Sequence, residues 1–247
     1  MRAICACCSV AALLLTGAVA HAGDWTRFRG PDGSGVSPDN SPTPVSWSET
    51  ENLKWSLQLP GPGLSSPIIY GDKVFVTCWT GYEAGGDSSD DINDLKRCVV
   101  CVDRTSGEVL WNEAVDAVQP EERYQGMFAE NGYASHTPVT DGQRVYAFLG
   151  KSGVVAFDME GNRLWQTSVG AGEGMNGWGT ASSPILYKDT VIVTAAAESN
   201  AIVALSESPP AEPEASVVNR SKRTVWLVSS SVIQNKRFWS PFRSCSS

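Results

Sequence analysis

Three stretches of this chain repeat one another in register, and that repeat limits the fold more than any other feature. They are Ser66–Val76, Thr137–Ala147 and Ser183–Val193. Each opens with a hydroxyl residue and a proline. Apolar residues and a polar turn follow, and a valine stands seven positions after the proline: Val74, Val145 and Val191. This is the signature of a strand, a tight turn and a second strand. Gly71-Asp72 and Asp141-Gly142 supply the turn chemistry. A third apolar run follows each pair, at Val99–Asp103, Val154–Asp158 and Ile202–Ser206. After the first two, a glycine turn leads into a fourth run that ends on tryptophan, Thr105–Trp111 and Met159–Trp165.

Four short antiparallel strands per unit make one blade of a β-propeller. The chain is therefore predicted to be all-β, with about three such blades. A lone four-stranded sheet exposes two faces. Radial stacking buries each face against its neighbour. The recurring tryptophans supply large apolar area for that contact. Asn52–Leu57 carries Trp55 in the setting of a fourth strand, without the three strands that should precede it. It reads as an N-terminal strand that closes a ring by completing the last blade. Trp55, Trp111 and Trp165 are thus the candidate blade-docking residues. An ordinary sandwich would have to match this register three times by coincidence.

The remaining organisation follows from composition. Arg2, the apolar run Val10–Leu15 and the small-x-small site Ala20-His21-Ala22 mark residues 1–22 as a signal peptide. The apolar run is too short to span a bilayer, which takes about 20 residues. An exported chain, periplasmic or extracellular, with no membrane span after cleavage is expected. Residues 23–51 are rich in Gly, Pro and Ser and read as an irregular arm. Residues 52–205 form the partial propeller. Residues 206–247 lack glycine, turn Ser-rich and basic, and begin Ser-Glu-Ser-Pro-Pro where a glycine turn and Trp strand should stand. They read as a non-propeller tail, expected to be disordered, as a reading-frame shift would produce. The net charge of −8 argues against nucleic acid as a partner, because phosphate binding needs a basic patch.

Motifs that could carry chemistry do not assemble into a catalytic set. Gly172–Gly177 spells G-x-G-x-x-G, but a dinucleotide site needs a helix directly after it, and Pro184 and a non-helical pattern follow. Cys98 and Cys101 spell C-x-x-C without the second pair that zinc requires. Asp87, Asp90, Asp91 and Asp94, in an insertion over residues 79–97, do not match an EF-hand loop and read as a solvated acidic loop. His136 has no G-x-S-x-G partner. No catalytic or metal-ligating residue is assigned. Cys78, Cys98, Cys101 and Cys245 lie beyond the signal peptide and allow three pairings. Cys78 and Cys98 bracket the acidic insertion, and a disulfide between them would staple its base.

Several segments carry a family resemblance. Trp25–Val36, Leu64–Pro67, Gly150–Asp158 and Gly177–Pro184 are similar to segments of exported bacterial pyrroloquinoline-quinone-like (PQQ-like, BamB-like) repeat proteins. The resemblance spans roughly residues 24–205. It implies one of two functions. The first is a non-enzymatic scaffold for protein interaction, as in BamB-type outer-membrane protein assembly, with no cofactor. The alternative is a fragment of a quinoprotein oxidoreductase, which holds PQQ and calcium on the propeller axis. No cofactor residue of that class maps onto a position here. Rings of this family usually have about seven or eight blades, so the chain reads as a truncated member. An open blade edge implies possible self-association.

Overall fold

Alternation of inward and outward side chains along short runs gives each repeat its sheet. The computed structural model describes residues 23–40, 42–85, 90–174 and 177–208, and the backbone of 226–228. The first blade consists of β1 (Ile68–Tyr70), β2 (Lys73–Thr80), β3 (Lys96–Asp103) and β4 (Val109–Asp116). The second holds β5 (Val139–Thr140), β6 (Arg144–Phe148), β7 (Val154–Asp158) and β8 (Arg163–Thr167). Both are antiparallel meanders in chain order. The third contains β9 (Ile185–Tyr187), β10 (Thr190–Ala195) and β11 (Ala201–Ser206), again antiparallel. The protein is thus an all-β, partial propeller. Its only described α-helix is a single short turn, Met127–Asn131.

Three details depart from the sequence reading. First, the fourth position of the third blade is held by β12 (Trp226–Val228), three residues that pair parallel to β11. Ser206 replaces the aspartate that ends β3 and β7, and Pro209-Pro210 follow where a turn glycine would stand. Second, residues 52–57 form no ladder with another strand among the described residues; Asn52 stands at positive φ, and exposure alternates only from Lys54 to Leu57. Third, β2 and β3 pair from Lys73↔Asp103 to Thr80↔Lys96, so the insertion begins only after Thr80. Eight-residue strands carry the hairpin into sequence that composition assigns to a loop.

The cores lie between blades. Phe75, Cys101 and Val99 of the first blade meet Val145, Ala147 and Phe157 of the second. Tyr146, Phe148 and Val154 on the second blade's other face meet Val191, Val193, Val203 and Leu205 of the third. The outer face of the first blade, with Cys78, Cys98, Val100 and Val102, is covered by Trp55, Leu57 and Leu59. The arm also touches the innermost strands. Trp25 exchanges both backbone hydrogen bonds with Ile69, and Thr140 N–H donates to the Thr26 carbonyl.

Candidate functional site

The tryptophans stand in one repeated geometry. A register shift just before each of Trp111 and Trp165 marks a β-bulge at Leu110 and Leu164, which re-aims the side chain. Trp111 Nε1 donates to the Met159 carbonyl of the next blade at 3.1 Å, and Trp165 Nε1 to the Glu207 carbonyl at 3.0 Å. Trp55 Nε1 donates to the Arg104 carbonyl at 2.9 Å. Each acceptor follows directly on the last residue of a third strand. Two glycines with positive φ, Gly107 and Gly161, lie under the indoles of Trp55 and Trp111. A Cβ at Gly161 would meet Trp111 Cγ and Cδ2 at 2.8 Å, so only glycine lets the ring lie flat there. Asp103 and Asp158 set the turns by accepting from backbone N–H groups two to four residues on; the Ser106 backbone bond for Asp103, and the Asn162 side-chain and backbone bonds for Asp158, hold the carboxyls below the usual range.

Cys78 and Cys98 are direct cross-strand partners, as the staple reading requires, but both are free thiols here. The pair shares a hydrogen bond that pushes the Cys78 thiol up and draws Cys98 down to about 7. Burial raises Cys101 to about 12. Cys245 and Asp87 lie outside the described residues. Asp91 caps a 3-10 turn at Ile92–Asp94 by accepting from Asn93. Asp90 Oδ2 accepts from Glu83 N–H. The G-x-G-x-x-G stretch lies in the connection between β8 and β9.

The functional geometry that sequence reasoning missed lies at one end of the blades. There the inter-blade connections, the arm and the β6–β7 and β10–β11 turns enclose a cavity of about 810 Å³. Arg97 projects from β3, 4% exposed, and its Nη1 meets Glu121 Oε1 at 2.6 Å. The same guanidinium donates to the Tyr133 carbonyl and to Ser152 Oγ. Lys151, 5% exposed, donates to the Pro120 carbonyl at 2.6 Å and pairs with Glu122 at 2.9 Å. Two cations from blade sheets and turns thus hold the long connection between β4 and β5. Burying charges is costly unless they are paired and hydrogen-bonded, and here they are both. Glu198 accepts from Thr180 Oγ1 at 2.8 Å, and burial raises its carboxyl.

His136 is buried against Phe148, with ring centroids 4.6 Å apart. Burial, aided by the Arg97 charge, lowers its pKa to about 4, so it is neutral at pH 7. His136 Nε2 and Glu121 Oε2 have no hydrogen-bond partner among the described residues, and both residues line the cavity. Exposed apolar and basic side chains share the lining: Trp178 stacks on Phe128 at 5.1 Å and is 55% exposed, Phe28 and Leu64 are also exposed, and Arg27 and Arg29 of the arm stand among them. The available sequence signal was Arg97 at the head of the apolar run Cys98–Val102, and Lys151 in a turn flanked by Gly150 and Gly153. A cation in such a place needs a partner.

Radially packed four-stranded antiparallel blades, each pinned to the next by a tryptophan on a turn carbonyl, define a β-propeller protein. A family model described as outer membrane protein assembly factor BamB matches residues 92–228. The chain belongs to this PQQ-like, BamB-like propeller family. No curated protein matches it. Among solved structures, the crystal structure of BamB from Moraxella catarrhalis is similar at 19% identity, over 62% of this chain and 40% of that one, with a TM-score of 0.41. The chain therefore spans well under half the length of that protein. No helix among the described residues is long and apolar enough to cross a membrane.

Proposed function

We propose that the chain acts as a non-enzymatic, exported scaffold for protein interaction, of the kind the family description names in outer-membrane protein assembly. The observation that carries this reading is how the charged cluster is used. Arg97 and Lys151 are committed to Glu121, Glu122 and loop carbonyls, and they fix the β4–β5 connection in place. Two exposed apolar residues lean on that connection, Trp178 by stacking on Phe128 and Leu64 through its N–H on the Ala134 carbonyl, and exposed Phe28 of the arm lines the same cavity. Exposed aromatic residues set on a rigid frame are the usual anchors of protein interfaces.

The alternative, a quinoprotein fragment, would place PQQ and calcium at this end of the blades. Of the cations that line the cavity, Arg97 and Lys151 face carboxylates, whereas Arg27 and Arg29 donate to backbone carbonyls of the arm. Calcium takes six to eight oxygen ligands, and the described residues bring no three acidic, His or Cys groups together to hold an ion.

The test is genetic. Deleting the gene should lower the folded fraction of outer-membrane β-barrel proteins, read by heat-modifiable mobility on gels. The wild-type chain should restore it, and Trp178→Ala should restore it poorly. Unchanged β-barrel folding in the deletion strain overturns the reading.

A further inference from the structure

The N-terminal arm delivers two arginines to the cavity. Asp24 Oδ1 accepts from Gly71 N–H just beyond β1, Trp25 pairs with Ile69 in the middle of β1, and the Thr26 carbonyl accepts from Thr140 N–H at the end of β5. The arm thus follows the innermost strands of the first two blades. It emerges beside the segments that precede β1 and β5, where Leu64 and His136 also line the cavity. There it turns back through Gly30, Gly33 and Gly35, all at positive φ. A Cβ at Gly30 would lie 2.6 Å from the Trp25 ring, and one at Gly33 would collide with Arg27 Nη2. Glycine at these places lets the Trp25 ring and the Arg27 guanidinium lie across the turn.

The two arm arginines differ from the cations behind them. Arg97 and Lys151 are matched by Glu121 and Glu122, and Glu198 accepts from Thr180. Arg27 gives one hydrogen bond, from Nε to the Gly30 carbonyl at 3.1 Å, and Arg29 gives one, from Nη2 to the Ser34 carbonyl at 3.4 Å. Both acceptors are neutral, and neither arginine forms an ion pair among the described residues. Asp32 of the same turn accepts from Ser34 N–H. A guanidinium carries five N–H donors in a fork that suits a carboxylate, so most of the donors on both side chains are open. They stand at the cavity of a chain whose net charge is −8. Exposed Phe28 lies between them in sequence and lines the same space. The cavity of about 810 Å³ falls within the range of about 300–1,000 Å³ that receives drug-sized ligands.

We propose that this cavity takes an acidic peptide segment of a partner protein, with carboxylates on Arg27 and Arg29 and an apolar side chain beside them against Phe28. The proposal rests on the scaffold reading and names the chemistry of the segment that the scaffold holds. The sign of the charge carries the choice. A basic segment would be repelled by the two open guanidiniums, and a neutral one would leave them unmatched. The cations deeper in the cavity are already paired, so the arm arginines set the selectivity.

Fluorescence anisotropy on the purified chain tests it, with a labelled Glu-Leu-Glu-Phe peptide as probe and Lys-Leu-Lys-Phe as its counterpart. The acidic peptide should bind saturably and the basic one should not. Raising the salt from about 50 to about 300 mM should weaken the binding. Arg27→Gln with Arg29→Gln should weaken it about tenfold or more. Arg163→Gln, on β8 and outside the cavity lining, should not change it. Equal affinity for the basic peptide, undiminished binding by the double variant, or no binding of the acidic peptide overturns the proposal. Arginine-dependent binding to phosphatidylglycerol vesicles in place of the peptide assigns the pair to a membrane surface and overturns it as well. In the deletion strain the double variant should restore β-barrel folding poorly. Full restoration overturns this proposal alone, whereas unchanged folding on deletion overturns the scaffold reading beneath it.

Discussion

Replacing Gly161 with alanine tests whether the indole-on-glycine contact holds the blades together. Gly161 has φ +91°, and an added Cβ would lie 2.8 Å from two ring atoms of Trp111. That ring cannot simply swing away, because its Nε1 is bonded to the Met159 carbonyl and its face packs on Phe75 and Phe157 at 5.8 Å. Two costs add. The backbone cost of a non-glycine residue at positive φ is about 1–2 kcal/mol. Overpacking against a fixed ring adds about 1–3 kcal/mol. Gly71→Ala is the control: its φ is +56° and nothing lies within 4 Å of the added Cβ, so only the backbone cost applies. Urea unfolding followed by tryptophan fluorescence should show Gly161→Ala costlier than Gly71→Ala by about 1–3 kcal/mol. In a Trp111→Ala background the excess should vanish, because the clashing ring is gone. Equal costs for the two glycine variants, or an excess that survives Trp111→Ala, would refute the docking argument.

The buried pair predicts a loss of about 3–5 kcal/mol for Arg97→Met, which strands Glu121, in the same unfolding assay. Arg97→Met with Glu121→Leu should recover most of it. His136 should make stability fall as pH drops from about 6.5 towards 4. The unfolded chain takes up a proton in that window and the folded chain does not, a swing of about 3 kcal/mol at most, and His136→Gln should flatten the slope. Lys188 takes the turn position of Gly71 and Gly142, with φ +55° against +56° and +86°. Lys188→Gly should therefore raise the free energy of unfolding, by about 1–2 kcal/mol at most. Peptide mapping of the denatured, unreduced protein should find Cys78 and Cys98 alkylated. A linked pair there would mean that the facing thiols had oxidised.

The blades were legible in the sequence because their rules are local. A proline, a turn residue and a valine at fixed spacing set a hairpin within about ten residues, and the tryptophan follows the same turn each time. The docking partners of those tryptophans were legible in kind but not in detail. The bonds from Trp55 to Arg104 and from Trp111 to Met159 span 49 and 48 residues, and a one-residue slip would move every contact to the other face. The charged cluster was not legible at all. Arg97 finds Glu121 twenty-four residues away and Tyr133 thirty-six away, across a connection with no periodicity of its own.

The third blade shows how local rules fail together. Its first turn puts a lysine at positive φ, where both other blades have glycine. Ser206 sits where an aspartate ties each of the other turns, and its contact is a weak 3.4 Å bond from Ser208 N–H. No glycine follows to seat the next indole. Trp165 still reaches the Glu207 carbonyl, because the bond needs only the backbone that β11 fixes, and β11 is held by β10 in six paired positions. Docking from the preceding blade thus survives the loss of the turn, whereas among the described residues the fourth position is taken by a parallel strand. The blade thus receives its neighbour through backbone that β10 fixes, while its outer edge carries only three parallel pairs among the described residues and is the part of the sheet least well held.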